Sequence, residues 1–298
     1  MKRFSRIYLE LTDTCNLRCP FCAQGRHGNE IPCDKLDDII VQIAQFTDEV
    51  RPHVLGEPLL YPHFGYFLSL CEKYNLTVKI TTNGTLLTVG NINLLQSKSI
   101  REINLSLHSF SSDTHGAIDA YLDILISLCD HPAIIDAGTY INFRFWNLSP
   151  EYSTKDTTDL FEALLAHYRC DLDIPRGGRG SIRLADRRRI SFDEPFEWPS
   201  SDRPVQKETG FCLGTISQIG ILSDGRVTPC CLDSQGEITL GNLFETPLAE
   251  IVGGQRITMM KEGFEKGNLV ENLCKGCSFI ERFGKKKSGN GSPRDLGD

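Results

Sequence analysis

The 298-residue chain reads as an α/β protein built on a partial barrel of six βα units, with a small α+β domain after it. Three observations predict this. Apolar runs of strand length alternate with longer segments of helical period up to about residue 170, the pattern of a parallel sheet with crossover helices. Six such units are too few for a closed eight-stranded barrel and suit an open one, with its ligand-binding mouth at the C-terminal strand ends. The alternation then gives way to glycine, proline and arginine, and a cysteine-rich segment follows.

Taken in order, Ile7, Leu9 and Leu11 mark a first strand at 6–11. Further strands are predicted at 49–54, 77–82, 101–107, 139–146 and, from a shorter signal, 171–174. Helices are predicted between them at 35–46, 63–74, 87–97, 117–130 and 156–168. From 175 to 205 the motifs PRGGRG, ADRRRIS and PFEWPSSDRP predict loops, so the first domain is placed at 1–205. A second domain at 206–284 opens with a hairpin, two apolar runs around Asp224-Gly225, and carries a helix at 247–263. Residues 285–298, KKKSGNGSPRDLGD, are expected to be a disordered tail.

Apolar content of 40% and charged content of 24% are those of an ordinary globular protein. A net charge of −7 argues against a broad basic footprint for nucleic acid or an anionic membrane. No run of about 18 apolar residues exists, and the N-terminus lacks a signal-peptide pattern, so a cytoplasmic protein with no membrane partner is expected. In that compartment the twelve cysteines point to metal ligation rather than disulfides. They fall into a set at 15, 19 and 22, a set at 212, 230, 274 and 277, and five others. Cys71 and Cys129 lie in helix-like apolar runs and read as core. Cys33 and Cys170 have no spaced partner and read as structural, and Cys231 should point away from its neighbour Cys230 in an extended segment.

The spacing Cys15-x3-Cys19-x2-Cys22 lets one short loop aim three thiolates at one centre. By chemistry alone that centre is an iron–sulfur cubane with an open iron or a zinc knuckle. With Phe21 before the last cysteine, directly after an apolar strand, the motif resembles that of the radical S-adenosylmethionine (SAM) enzymes. The resemblance implies a [4Fe–4S] cluster held by Cys15, Cys19 and Cys22, SAM chelated on its open iron, and reductive cleavage to a 5′-deoxyadenosyl radical.

Further residues fit the same resemblance. Leu55-Gly56-Glu57-Pro58 looks like the family's GGE element with the first glycine replaced, which implies that Gly56 and Glu57 face the methionyl group; a solvated loop acid is the alternative for Glu57. Thr81-Thr82-Asn83-Gly84 ends a strand in a polar turn, and Asn83 joins the implied cofactor-binding set with Phe21. Asn104, Ser106 and His108 share one strand face. The resemblance puts Ser106 on the ribose; His108 is a substrate contact, a base or a hydrogen-bonded core histidine. Arg144, on a face with Asn142 and Trp146, matches an arginine that pairs with the methionyl carboxylate, a structural salt bridge being the alternative. His108 and Arg144 are the candidate catalytic residues.

In the second domain, Cys212 and Cys230 flank the hairpin and Cys274-Lys275-Gly276-Cys277 is a chelating pair. Two such pairs close a four-thiolate site, and zinc or iron–sulfur fits the chemistry equally. The arrangement C-x12-G-x4-C with a distant CxxC resembles the SPASM auxiliary-cluster domain in its shortened twitch form, which implies one auxiliary [4Fe–4S] cluster.

A radical SAM oxidoreductase follows, one that abstracts hydrogen from an unknown small-molecule or peptide substrate and is served by a flavodoxin or ferredoxin as electron donor. Peptide, protein or RNA modification is the alternative, RNA resting on the basic loop of Arg176, Arg179, Arg183, Arg187, Arg188 and Arg189. A non-catalytic iron–sulfur or zinc sensor is the alternative from another class.

Overall fold

The computed structural model describes residues 2–23, 25, 28–146, 148–149, 151–171 and 179–283. The tail at 285–298, Arg176 and most of the expected strand at 171–174 lie outside the described residues. In chain order the elements are β1 (Arg6–Leu9), α1 (Cys33–Ile43), β2 (Glu49–Arg51), α2 (Phe64–Lys73), β3 (Thr77–Thr82), α3 (Ile92–Leu95) and β4 (Ile100–Ser106). There follow α4 (Ser112–His115), α5 (Ile118–Cys129), α6 (Pro132–Asp136), β5 (Tyr140–Trp146) and α7 (Lys155–His167). A hairpin of β6 (Gly180–Ala185) and β7 (Arg188–Asp193) comes next. The chain ends in β8 (Gln218–Ile221), β9 (Arg226–Thr228), β10 (Gly241–Asn242), α8 (Leu248–Gly253), α9 (Gln255–Lys266) and α10 (Asn272–Lys275).

Among the described residues all ten strands form one sheet in the order β10-β9-β8-β1-β2-β3-β4-β5-β7-β6. From β8 to β7 every neighbouring pair is parallel, and the hairpin partners β6, β9 and β10 run antiparallel at the two edges. The period-2 alternation explains the layering. Ile7, Leu9, Ile103, Leu105, Phe143 and Phe145 turn outward and are buried under helix faces such as Leu36, Ile39, Ile40 and Ile43 of α1. Each such burial contributes about 1.5–3 kcal/mol. The alternate residues turn into the barrel.

Two expectations need correction. The loop predicted over 175–205 contains the β6–β7 hairpin, and among the described residues β7 is the sixth strand of the parallel barrel, paired with β5. Leu184, Ile190 and Phe192 are buried with the core, which outweighs the local loop signals; the turn holds Arg187 at φ 54. The helix predicted at 247–263 is two helices, because Gly254 is extended (φ −64, ψ 158) and serves as the C-cap of α8 and the N-cap of α9. The sheet also crosses the proposed domain boundary, since β8 pairs with β1. Among the described residues no helix is long and apolar enough to cross a membrane.

Candidate active site

At the top of β1 the buried carboxylate of Glu10 joins three segments. It accepts from the Leu55 amide at 2.8 Å, the Ser223 amide at 3.1 Å and the Ser223 hydroxyl at 2.8 Å. Gly56 sits at φ +76, and a Cβ on it would lie 2.1 Å from the Thr12 carbonyl oxygen, so only glycine lets this turn pack on the cysteine loop. The Glu57 amide then donates to the Thr14 carbonyl at 2.9 Å. The Glu57 side chain is not a solvated loop acid. It is 1% exposed and accepts from the Asn83 amide at 2.8 Å and the Leu59 amide at 3.2 Å. Burial pushes its pKa up, against the pull of these donors. Asn83 in turn reaches the Cys15 sulfur at 3.8 Å and Asn16 Oδ1 at 3.0 Å.

Burial raises the pKa of the Cys15, Cys19 and Cys22 thiols; Cys22 and Cys15 add to it at Cys19, which reaches about 11, and Cys15 adds to it at Cys22. In the C-terminal set burial again acts first and the neighbouring thiols add to it: Cys212 reaches about 12 and Cys230 stands well above the ordinary range. Buried thiols of which several oppose a neighbour's ionisation suit a positive centre that relieves them. Among the described residues no three such groups form a site for a single ion. Cys230 and Cys231 lie in a turn and not in the extended segment expected, and the Cys231 thiol is hydrogen-bonded to the Tyr8 hydroxyl. Cys71 and Cys129 are buried in the core.

A chamber of about 760 Å³ is lined by Cys22 and by Cys212, Cys230, Cys274 and Cys277. Its walls are the inward residues of the strands. Toward their N-terminal ends runs an ion-pair chain: Arg51 to Glu49 at 2.9 Å, Glu49 to Lys79 at 3.2 Å, Lys79 to Glu102 at 3.6 Å and Glu102 to Arg189 at 3.0 Å. Above it Asn142 donates to Asn104 Oδ1 at 2.8 Å. Three buried polar atoms on the chamber lining have no partner: Asn142 Oδ1, His53 Nδ1 and Trp146 Nε1.

Ser106 and Arg144 stand opposite each other in the β4–β5 register. His108 packs on Trp146 at 4.3 Å and against Phe21 at 5.3 Å between ring centres, the second pair tilted by 58°, with Nδ1 3.2 Å from the Arg144 carbonyl. Burial, aided by the Arg144 charge, pulls its pKa down to about 3, so the ring is neutral and its Nδ1–H donates, leaving Nε2 as an acceptor. A strap at 194–205 crosses the chamber. Trp198 Nε1 donates to the Phe21 carbonyl at 3.0 Å, and Phe196 lies 5.3 Å from both Trp198 and Phe279.

The basic loop does not form one face. Arg188 is buried, donating to the Thr139 carbonyl at 3.2 Å and pairing with Asp130 at 3.5 Å, while Arg179 and Arg189 line the chamber in ion pairs. Sequence reasoning missed Tyr8, Glu10, His53 and Trp198. The first three share the inward parity of their strands, a signal that was present in Ile7, Leu9 and Leu11 facing the other way; Trp198 sits in irregular chain and carried none.

Residues 9–127 match the Radical SAM superfamily, and residues 212–278 match the SPASM family, described as an iron–sulfur cluster-binding domain. The mycofactocin maturase MftC of Mycobacterium tuberculosis is 24% identical over 247 residues, which cover 77% of this chain and 62% of that protein. The match spans less than two thirds of that relative's length. Among solved structures, BtrN in complex with AdoMet and 2-DOIA superposes with a TM-score of 0.60 at 18% identity, covering 93% of this chain and 94% of that one. Streptococcus suis SuiB bound to the precursor peptide SuiA superposes with a TM-score of 0.53 at 15% identity, over 94% and 71%. The two domains imply SAM, a [4Fe–4S] cluster and an auxiliary iron–sulfur centre, and the two thiol sets fit them. The chain carries a Radical SAM domain over residues 9–127 and a SPASM domain behind it over residues 212–278.

Proposed function

We propose that this enzyme oxidises a substrate held in the 760 Å³ chamber that its two cysteine sets reach. The single observation that carries the reading is that one cavity reaches both Cys22 and the four C-terminal cysteines. When bound, SAM and its cluster supply a 5′-deoxyadenosyl radical for hydrogen abstraction, and the auxiliary cluster supplies an electron acceptor. The chain's own residues do the rest. Cys15, Cys19 and Cys22 hold the first cluster, and Cys212, Cys230, Cys274 and Cys277 hold the second with no position left open for substrate. Phe21, Gly56, Asn83 and Ser106 form the cofactor-facing wall; Glu57 acts by fixing the turn to the Asn83 amide. Neutral His108 presents Nε2 as an acceptor, and the strap bearing Trp198 keeps water from the chamber. A flavodoxin or ferredoxin is the electron donor assigned by this reading.

A second reading, modification of a peptide, is favoured by the likeness to MftC across 77% of the chain and to SuiB with its precursor peptide. Anaerobic reconstitution tests the common part: about eight irons per chain and 5′-deoxyadenosine formed from SAM with dithionite. Zinc in the C-terminal site would remove the electron acceptor and sink the oxidation reading.

A further inference from the structure

We propose that the substrate of the chamber is an anion, and that Arg144 receives its carboxylate or phosphate oxygens. The inference rests on the reading that the chamber holds substrate and deepens it by naming the substrate class.

The charge inventory carries it. Both acids on the chamber lining are already engaged by two cations, Glu102 by Lys79 and Arg189, and Asp193 by Arg179 at 3.3 Å and Arg282 at 2.8 Å, while Glu49, beside the lining, is shared by Arg51 and Lys79. Those three carboxylates face five cationic side chains, so the wall carries positive charge before Arg144 is counted. Arg144 then adds a further guanidinium on the lumen side of β5. Among the described residues its side chain has no carboxylate within 4.0 Å and makes no hydrogen bond. Asp193 and Glu102 act on it only at longer range, and burial is the first influence on its pKa, which it lowers. A desolvated guanidinium, with five donors in a planar fork and no acceptor, is matched by the two oxygens of a carboxylate or phosphate.

The orphaned atoms refine the class. Asn142 Oδ1 lacks a donor, Trp146 Nε1 lacks an acceptor, and His53 Nδ1 lacks either, all on the same lining. An anion that also carries hydroxyl or amide groups offers a donor to Asn142 Oδ1 and an acceptor to Trp146 Nε1 once these buried side chains turn toward it, whereas a hydrocarbon offers neither. The rival occupant of Arg144 is the methionyl carboxylate that the resemblance implies, and the test separates the two.

The cluster-loaded full chain, with SAM bound, is titrated by calorimetry with succinate and with inorganic phosphate, and with neutral succinamide as control. The expected result is that succinate or phosphate binds at least about tenfold more tightly than succinamide. R144Q should lose about tenfold or more of that affinity while keeping its SAM affinity within about threefold, and R144K should recover part of it. N142D, which adds a carboxylate to the chamber, should weaken the anion about tenfold, and it decides the matter if R144Q fails to load iron. Succinamide binding as tightly as succinate, no anion binding, or an R144Q that loses SAM and keeps the anion overturns the proposal. Absence of 5′-deoxyadenosine from the wild type sinks the oxidation reading instead, whatever the calorimetry shows.

Discussion

The two cysteine sets hold the same chemistry in opposite ways. The first comes from eight consecutive residues of one loop, anchored by the Glu57 amide on Thr14 and by Asn83 at Cys15. The second is gathered from a turn, a hairpin end and α10, and it packs against a small apolar cluster that includes Ile238, Met260, Leu273 and Ile280. A local set costs little chain entropy to assemble, so its loop is free to leave one position for a ligand; a distant set must be organised by the fold and in turn helps to hold that fold.

Removing each set in turn tests this contrast most strongly. The Cys15→Ala/Cys19→Ala/Cys22→Ala variant should lose about four irons and all 5′-deoxyadenosine formation, with thermal unfolding nearly unchanged. If its melting temperature collapses, the loop is not independent. Cys274→Ser should also lose about four irons, keep SAM cleavage, and melt several degrees lower, since a destabilisation of about 1 kcal/mol moves a domain of this size by a few degrees. Equal melting of the two variants would erase the distinction.

Acid sharpens the contrast on the loop side, where His108 packs against Phe21. His108 and His53 are both held near 3, below the ordinary 6.5, so as pH falls the unfolded chain takes up protons first. Their contribution to stability is complete above pH 6.5 and is lost from there toward 3, at about 1.4 kcal/mol per pH unit for each. Denaturation of H108F should show a slope smaller than the wild type's by up to about 1.4 kcal/mol per pH unit between pH 6.5 and 5; an unchanged slope means the ring titrates normally.

Smaller effects probe the ties between the regions. Glu10→Gln should cost about 2 kcal/mol in urea unfolding, because an amide cannot accept from both Leu55 and Ser223 as the carboxylate does. Trp198→Phe should cost about 1 kcal/mol and speed proteolysis within 194–205, the loss of a single hydrogen bond to Phe21. A protease pattern identical to wild type would show that the strap is held elsewhere.

What the sequence made legible follows the same division. The loop set and the strands at 77–82, 101–107 and 139–146 are read from local spacing and period, and β3, β4 and β5 lie there within a residue. The hairpin at 180–193 was hidden because glycine and arginine signal loops locally, while Leu184, Ile190 and Phe192 find their burial only against distant elements. The basic residues there looked like one surface; the fold buries Arg188 under Thr139 and Asp130 and turns Arg189 inward to Glu102. Glu57 read as a ligand or a loop acid because nothing in its own segment reveals that Asn83, 26 residues later, supplies the amide it accepts from.

The pairing of β1 with β8 has a consequence for how the chain reaches this state. Ser5 and Ser217, 212 positions apart, are hydrogen-bonded across that seam. β1 therefore keeps an open edge until the strand some 212 residues later has been made, which makes late, slow folding the expectation. A chain cut at residue 205 would leave Arg6–Leu9 with an unpaired hydrogen-bonding rim beside the cysteine loop, and such a rim is a template for aggregation. The barrel and the segment behind it are thus one folding unit, and the enzyme gains its second cluster and the completion of its first strand in the same event.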